Sequence, residues 1–194
     1  MTDKLILFDQ LVQEIRSCTR CDLPMGPNPV IQVSPKARLL IVGQAPGIRV
    51  HESGIPFNDP SGDRLRQWLN IEREQFYDPE SIAIVPMGFC YPGTGKNGDL
   101  PPLPLCAELW RKRLLEKLDN VELTLVIGQY AQAWHLNKKT KTSVTAIVKS
   151  WRDYIPDVIP LPHPSPRNNR WLKTNPWFEL EVVPYIQKRV RSLI

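Results

Sequence analysis

The sequence predicts a three-layer α/β/α fold in one domain, residues 1–194, around a central four-stranded, mainly parallel sheet. Three observations carry this. Four short apolar runs have the length and density of buried strands. Segments with helical apolar spacing lie between them, the alternation that builds a parallel sheet covered on both faces. The first run opens into a Gly-containing loop and the fourth into a Pro-rich one, and in such sheets ligands bind at the carboxyl ends of the strands.

The elements follow in chain order. Leu5 to Ser17 reads as a helix, with Phe8, Leu11, Val12 and Ile15 on one face. It leads into a Pro-rich loop, Pro24 to Pro35, which cannot continue a helix. Arg38 to Val42 is the first strand, and Gly43-Gln44-Ala45-Pro46-Gly47 is its loop. Ser61 is the expected cap of the next helix, with Asp63 in the first turn and Leu65, Trp68 and Leu69 facing inward. Ile82 to Val85 is the second strand. A long Gly/Pro loop, Pro86 to Pro102, follows it, and loops of that length in compact domains are functional or disordered. Within it, Gly93-Thr94-Gly95-Lys96 lacks the rest of a phosphate-loop pattern. Cys106 is expected to open a helix to about Leu118, with Leu109, Trp110, Leu114 and Leu118 inward. Leu123 to Ile127 is the third strand, ended by Gly128, with a short helix over Tyr130 to Leu136. Val144 to Trp151 suits a helix or an edge strand. Val158 to Leu161 is the fourth strand, and the last helix runs from about Pro176 to Val190.

The chain has 194 residues and a formal net charge of +5, which permits a nucleic-acid partner without requiring one. No stretch is long and apolar enough to cross a bilayer, and the charged start is not a secretory leader, so the expectation is a cytoplasmic protein with no membrane partner. The four cysteines are Cys18, Cys21, Cys90 and Cys106, with two residues inside the first pair and 15 inside the second. Such spacing fits an iron–sulfur cluster and a structural zinc equally well, and reduced thiols packed as small hydrophobes are the plainer alternative.

Several segments together carry a family resemblance. Gly43-Gln44-Ala45-Pro46-Gly47, Gly54-Ile55-Pro56-Phe57 with Ser61-Gly62, and His163-Pro164-Ser165-Pro166-Arg167-Asn168 resemble the signature loops of the uracil-DNA glycosylase superfamily. The early loops are similar to the iron–sulfur (family 4 and 5) branch. The late loop is similar to the single-strand-selective monofunctional type. The resemblance implies a [4Fe-4S] cluster on Cys18, Cys21, Cys90 and Cys106, with zinc as the alternative. It implies DNA containing a damaged base as partner and a monomeric enzyme that hydrolyses the N-glycosidic bond of uracil or a related deaminated base. The resemblance implies catalytic roles for His163 and Gln44. Base binding falls to Gly43, Ala45 and Phe57, and DNA contacts to Pro164, Ser165, Pro166, Arg167 and Arg170.

The chemistry asks for these residue types. Breaking the bond leaves negative charge on the departing base, and a neutral imidazole donor would stabilise it. An everted base needs a flat platform, which Phe57 offers. Prolines with an arginine suit a wedge for the vacated stack. Arg167, Arg170 and Lys173 interleaved with Trp171 and Trp177 form the expected DNA face.

The chain also departs from the pattern. Gln44 and Ala45 stand where relatives carry a carboxylate, Pro86 where they read uracil with an Asn, and Gly47 where the prototype has a bulky Tyr. Asn58 and Asn97 are the amides placed to substitute, and His51, Glu52 and Asp59 are the nearest groups for handling water. The alternative reading is a catalytically weak or inactive damage sensor on the same fold.

Overall fold

The computed structural model describes residues 2–96 and 98–194. Its central sheet contains β1 (Leu39–Val42), β2 (Ile82–Ile84), β5 (Leu123–Ile127) and β6 (Val158–Leu161), in the order β2-β1-β5-β6. Every neighbouring pair is parallel, in registers such as Ile41 with Ile84, Ile41 with Leu125, and Leu125 with Ile159. A two-stranded hairpin, β3 (Thr94–Gly95) and β4 (Gly98–Asp99), stands apart in the long loop after β2.

Alternation within each strand divides the core into two layers. Leu39, Ile41, Ile82, Ile84, Leu123, Leu125, Ile159 and Leu161 face one layer. There they pack with α3 (Pro60–Leu69), α7 (Val144–Lys149) and the C-terminal helix α9 (Val183–Arg191). Leu40, Val42, Ala83 and Val126 face the other. That layer holds α1 (Thr2–Arg16), the short helix α5 (Lys112–Leu115) and α6 (Gly128–His135). The three-layer architecture with four parallel strands is therefore the one expected from the sequence.

The β2 edge is closed by the Pro-rich loop. Gln32 exchanges two backbone hydrogen bonds with Ile84, at 3.0 and 2.7 Å. Its buried side-chain amide donates to the carbonyls of Phe76 and Ile82. An exposed edge is thus blunted by a single antiparallel bridge.

Local chemistry departs from expectation at two places and decides one open alternative. Asp59, not Ser61, caps α3: its Oδ1 accepts from the Gly62 N–H at 2.9 Å, and Pro60 takes the first helical position. Ser61 is buried inside the first turn. Residues 144–149 are helical rather than an edge strand. The segment after Cys106 forms a five-residue π-helical turn, Ala107–Arg111, before α5 begins. The wider turn rotates the inward face by part of a turn. Leu109 is consequently exposed and Trp110 half-buried, while Arg111 is completely enclosed. Among the described residues no helix is long and apolar enough to cross a membrane.

Ile41 sits at the centre of the sheet with no solvent exposure, whereas Leu180 is 75% exposed. Ile41→Ala is expected to cost about 2–5 kcal/mol of unfolding free energy. Leu180→Ala should stay within about 0.5 kcal/mol. Chemical denaturation of both variants checks the contrast.

Candidate active site

The sheet order places a switch of direction beside β1: β2 lies on one side of it and β5 on the other. Loops leaving β1 and β6 rise around β5, two strand spacings or about 10 Å apart. β5 leaves room between them, because Gly128, at φ +78°, turns the chain directly into α6. The result is a hollow of about 640 Å³ at the carboxyl ends of the strands. Gly43, Gln44, Ala45, Phe57, His163 and Arg167 all line it, so the two distant loops share one cavity.

Phe57 is held in place by tight geometry. It occupies the left-handed region at φ +54°, which costs a non-glycine residue energy. Its neighbours leave no other choice. A Cβ at Gly62 would lie 1.7 Å from the Phe57 carbonyl oxygen, so only glycine fits there. A Cβ at Gly43 would approach the tip of the Phe57 ring to 3.3 Å, so glycine lets the ring lie close over the β1 loop. Phe76 meets the ring edge-on at 6.3 Å between centroids.

His163 is fixed by its own loop. The Ser165 backbone N–H donates to Nδ1 at 3.2 Å, and the Asn168 side chain donates to the His163 carbonyl at 2.7 Å. A neutral ring whose Nδ1 accepts carries its proton on Nε2. Burial holds the imidazole below its ordinary pKa, while Asp59 and Asp99 pull it upward less strongly. The loop is further tied down from α3. Arg64 donates to the Ser165 carbonyl at 3.0 Å and to Asn169 Oδ1 at 2.6 Å.

Other residues do not sit as expected. Gln44 lines the hollow, but its side-chain amide donates to the Leu100 carbonyl at 3.2 Å and so anchors the chain just after the hairpin. Asn58 lies outside the hollow lining because its Oδ1 accepts from Arg73 at 3.0 Å. Asn97 is outside the described residues. Pro164 is buried and therefore cannot wedge into DNA, whereas Pro166 and Arg167 are exposed. Arg170 is exposed on α8 (Asn169–Thr174), away from the hollow. Trp171 and Trp177 belong to the packing. Trp171 donates its indole N–H to Thr145 Oγ1 at 2.7 Å, and the two rings stack edge-to-face with each other and with Phe178.

Sequence reasoning missed Asp99, Arg49 and Arg64, and gave Asn168 no role beyond its place in the His163 loop. Asp99 arrives from the hairpin: its Oδ2 stands 3.4 Å from where a Cβ on Gly47 would be, so a carboxylate occupies the room that Gly47 leaves. Its Oδ1 accepts from Thr94, whose hydroxyl is in turn bonded to Tyr91. Across the mouth, the Arg167 guanidinium lies against Gly98, whose φ of +122° is a backbone conformation that favours glycine.

A second, small cavity lies behind the β2 loop. Cys18, Cys21, Cys90 and Cys106 all line it, together with Arg20, Pro27, Pro29, Phe89 and Trp110. All four thiols are free. Burial pushes Cys90 up to about 11 and raises Cys21 and Cys106 as well. The Phe89 N–H points at the Cys106 sulfur at 3.5 Å, and a backbone hydrogen bond from Asn28 reaches Cys90. Among the described residues, no three His, Cys, Asp or Glu side chains converge on a position for a single metal ion. All four sulfurs line this one cavity, and an all-sulfur donor set is what an iron–sulfur cluster or a structural zinc takes.

The uracil DNA glycosylase superfamily model matches residues 30–187. The chain belongs to that superfamily. The matched region spans both signature loops, the hairpin and Cys90 and Cys106; Cys18 and Cys21 precede it. Among solved structures, the chain is similar to wild-type SMUG2 from Pedobacter heparinus. The likeness has 15% sequence identity, covers 95% of each chain and gives a TM-score of 0.46.

The depressed His163 pKa sets a pH dependence for this superfamily member. Below its ordinary pKa of about 6.5 the unfolded chain takes up a proton that the folded ring refuses, so this residue's contribution to stability is complete above that value. It is lost as the pH falls toward the folded pKa. The urea midpoint is expected to drop between about pH 7.5 and 5.5, and His163→Gln should make that drop smaller, leaving the part contributed by His135, which burial also holds low.

Proposed function

We propose that this protein is a monofunctional DNA glycosylase that hydrolyses the N-glycosidic bond of uracil, or of a related deaminated base, everted from DNA. The observation that carries the reading is the Nε2–H imidazole of His163, locked by the Ser165 amide, sharing a hollow with the Phe57 ring.

In this reading the base stacks on Phe57 and presents the carbonyl beside the glycosidic nitrogen to His163. As the bond to the sugar breaks, negative charge builds on the base and the sugar becomes oxocarbenium-like. A neutral donor aimed at that carbonyl strengthens its hydrogen bond as the charge grows, and burial of the ring keeps it neutral at physiological pH. The attacking water needs an acceptor. Gln44 spends its amide N–H on Leu100, so the acceptors lining the hollow that can orient the water are the Gln44 Oε1 and the carboxylates of Asp59 and Asp99. No lysine is among the residues lining the hollow, which supports simple hydrolysis over a Schiff-base route. Arg49 and Arg167 at the mouth supply charge for flanking phosphates.

Cys18, Cys21, Cys90 and Cys106 would hold a [4Fe-4S] cluster. When bound, that cluster supplies a covalent tie between the end of α1 and the loop that carries the hairpin, and anaerobically prepared protein is expected to contain iron and sulfide. Absence of both would remove this part of the reading.

A second reading, a damage sensor without turnover, is favoured by Pro86, which lines the hollow but offers no side chain to read a base edge. Free-base release from uracil, hypoxanthine and xanthine oligonucleotides, single- and double-stranded, decides between the two. His163→Ala is expected to lower the release rate by about 10²–10³ with little change in DNA affinity. No release from any of these substrates by iron-loaded protein would leave the sensor.

A further inference from the structure

The most anomalous buried group in the molecule is Arg111. Its side chain has no solvent exposure. Among the described residues, none of the ion pairs involves it. Its partners are all neutral. One terminal nitrogen donates to the carbonyls of Val85 and Pro86, at 2.8 and 2.5 Å. The other meets His135 Nε2 at 2.9 Å, and the guanidinium lies 5.0 Å from the centre of the Trp134 ring. Its Nε–H finds no acceptor. Burial and the neighbouring cation push His135 down to about 3, so that ring stays neutral and accepts.

A guanidinium removed from water without a counter-charge is expensive, and folds seldom retain one idly. The free Cys106 thiol, one π-helical turn earlier on the same segment, is neutral, and only as a thiolate would its sulfur supply the offsetting charge and favour the charged state of Arg111. The other neighbourhood of Arg111 is the hollow. Pro86, whose carbonyl it holds, lines the wall where a base edge would lie. The backbone just beyond is bonded to the β1 loop, Met87 N–H to Gly43 O and Gly88 N–H to Gln44 O, each at 2.9 Å.

We infer that Arg111 is a positioning residue with two duties: it is the internal counter-cation of an anionic centre at the four-cysteine cavity, and it fixes the Val85–Pro86 wall of the base hollow. The inference rests on the cluster reading proposed above. Four thiolates outweigh the positive charge of an iron–sulfur core, so the loaded centre is anionic and a fixed cation beside it stabilises the more reduced state. The same guanidinium, by its fork geometry, ties the two carbonyls on one nitrogen to His135 Nε2 on the other, a span that a lysine ammonium cannot reproduce.

The two duties separate experimentally in the iron-loaded protein. Arg111→Met removes both charge and fork. Its cluster is expected to show a more negative midpoint potential and at least a tenfold faster loss of iron to a chelator. Arg111→Lys keeps the charge alone. It should retain the potential of the parent protein, yet raise the KM for a uracil oligonucleotide at least threefold through the displaced wall. A merely structural role would move melting temperature in both variants and potential in neither. If Arg111→Met does not fold, Arg111→Lys still decides. A shifted potential with unchanged KM in that variant overturns the inference, as does an unshifted potential in a folded Arg111→Met. Parent protein that binds no iron at all takes down the cluster reading, and this inference with it. Iron bound normally with none of these changes removes only the inference.

Discussion

One backbone amide governs the chemistry this fold can offer. The N–H of Ser165, pointed at His163 Nδ1, decides which nitrogen of the ring carries the proton and so makes the imidazole a donor toward the hollow. That amide is itself held. Pro164 and Pro166 restrict the backbone on either side, Arg64 grips the Ser165 carbonyl from α3, and Asn168 closes the loop back onto His163. Each of these would be ordinary loop chemistry alone. Together they remove the freedom to flip the ring, and burial then removes its charge. A donor that is neutral and already oriented costs no reorganisation when charge appears opposite it.

The platform across the hollow depends on a constraint of another kind. Phe57 sits in strained backbone because the start of α3 packs its glycine, Gly62, directly under the Phe57 carbonyl. Asp59 caps that helix through the Gly62 N–H. The residue that lines the hollow beside Phe57 therefore also fixes the helix that strains it. Helix α3 in turn carries Arg64 to the His163 loop, so both halves of the candidate site are positioned by one short helix.

How much of this was legible follows from the range of each interaction. The four strands and their parallel arrangement were readable because burial on two faces leaves continuous apolar runs. His163, Phe57 and the four cysteines were found as linked segments, and the fold brings each set to a common cavity. What sequence could not supply was side-chain direction over long distance. Asn58 turns to Arg73 and Gln44 to Leu100, partners 15 and 56 residues away. The cap of α3 fell to Asp59 and not Ser61 because Pro60 suits the first helical position, a local signal available in the sequence but outweighed in the reading by Ser61. Arg111 was invisible for a different reason. Regular helical spacing points Leu109 and Trp110 inward, and only a π-helical turn exchanges that face for a cation.

That exchange explains how the long loop after β2 is held with only a two-stranded hairpin as regular structure of its own. Residues 85 to 106 run from the sheet past the hollow, through the hairpin, and back to the cysteine cavity. At the sheet end Arg111 holds their carbonyls, in the middle Gln44 holds Leu100, and at the far end Cys90 and Cys106 flank one cavity. The first two anchors are side chains reaching in from other elements, since Gly and Pro leave the loop few of its own. The hairpin that brings Asp99 to the hollow thus lies between a polar clamp and the cysteine-lined cavity. Loosening either end would move a carboxylate and a proline wall relative to His163, although neither the clamp nor the cavity lies in the hollow's own loops. The geometry of the candidate site is therefore set as much by the back of the β2 loop as by the two loops whose residues face the hollow.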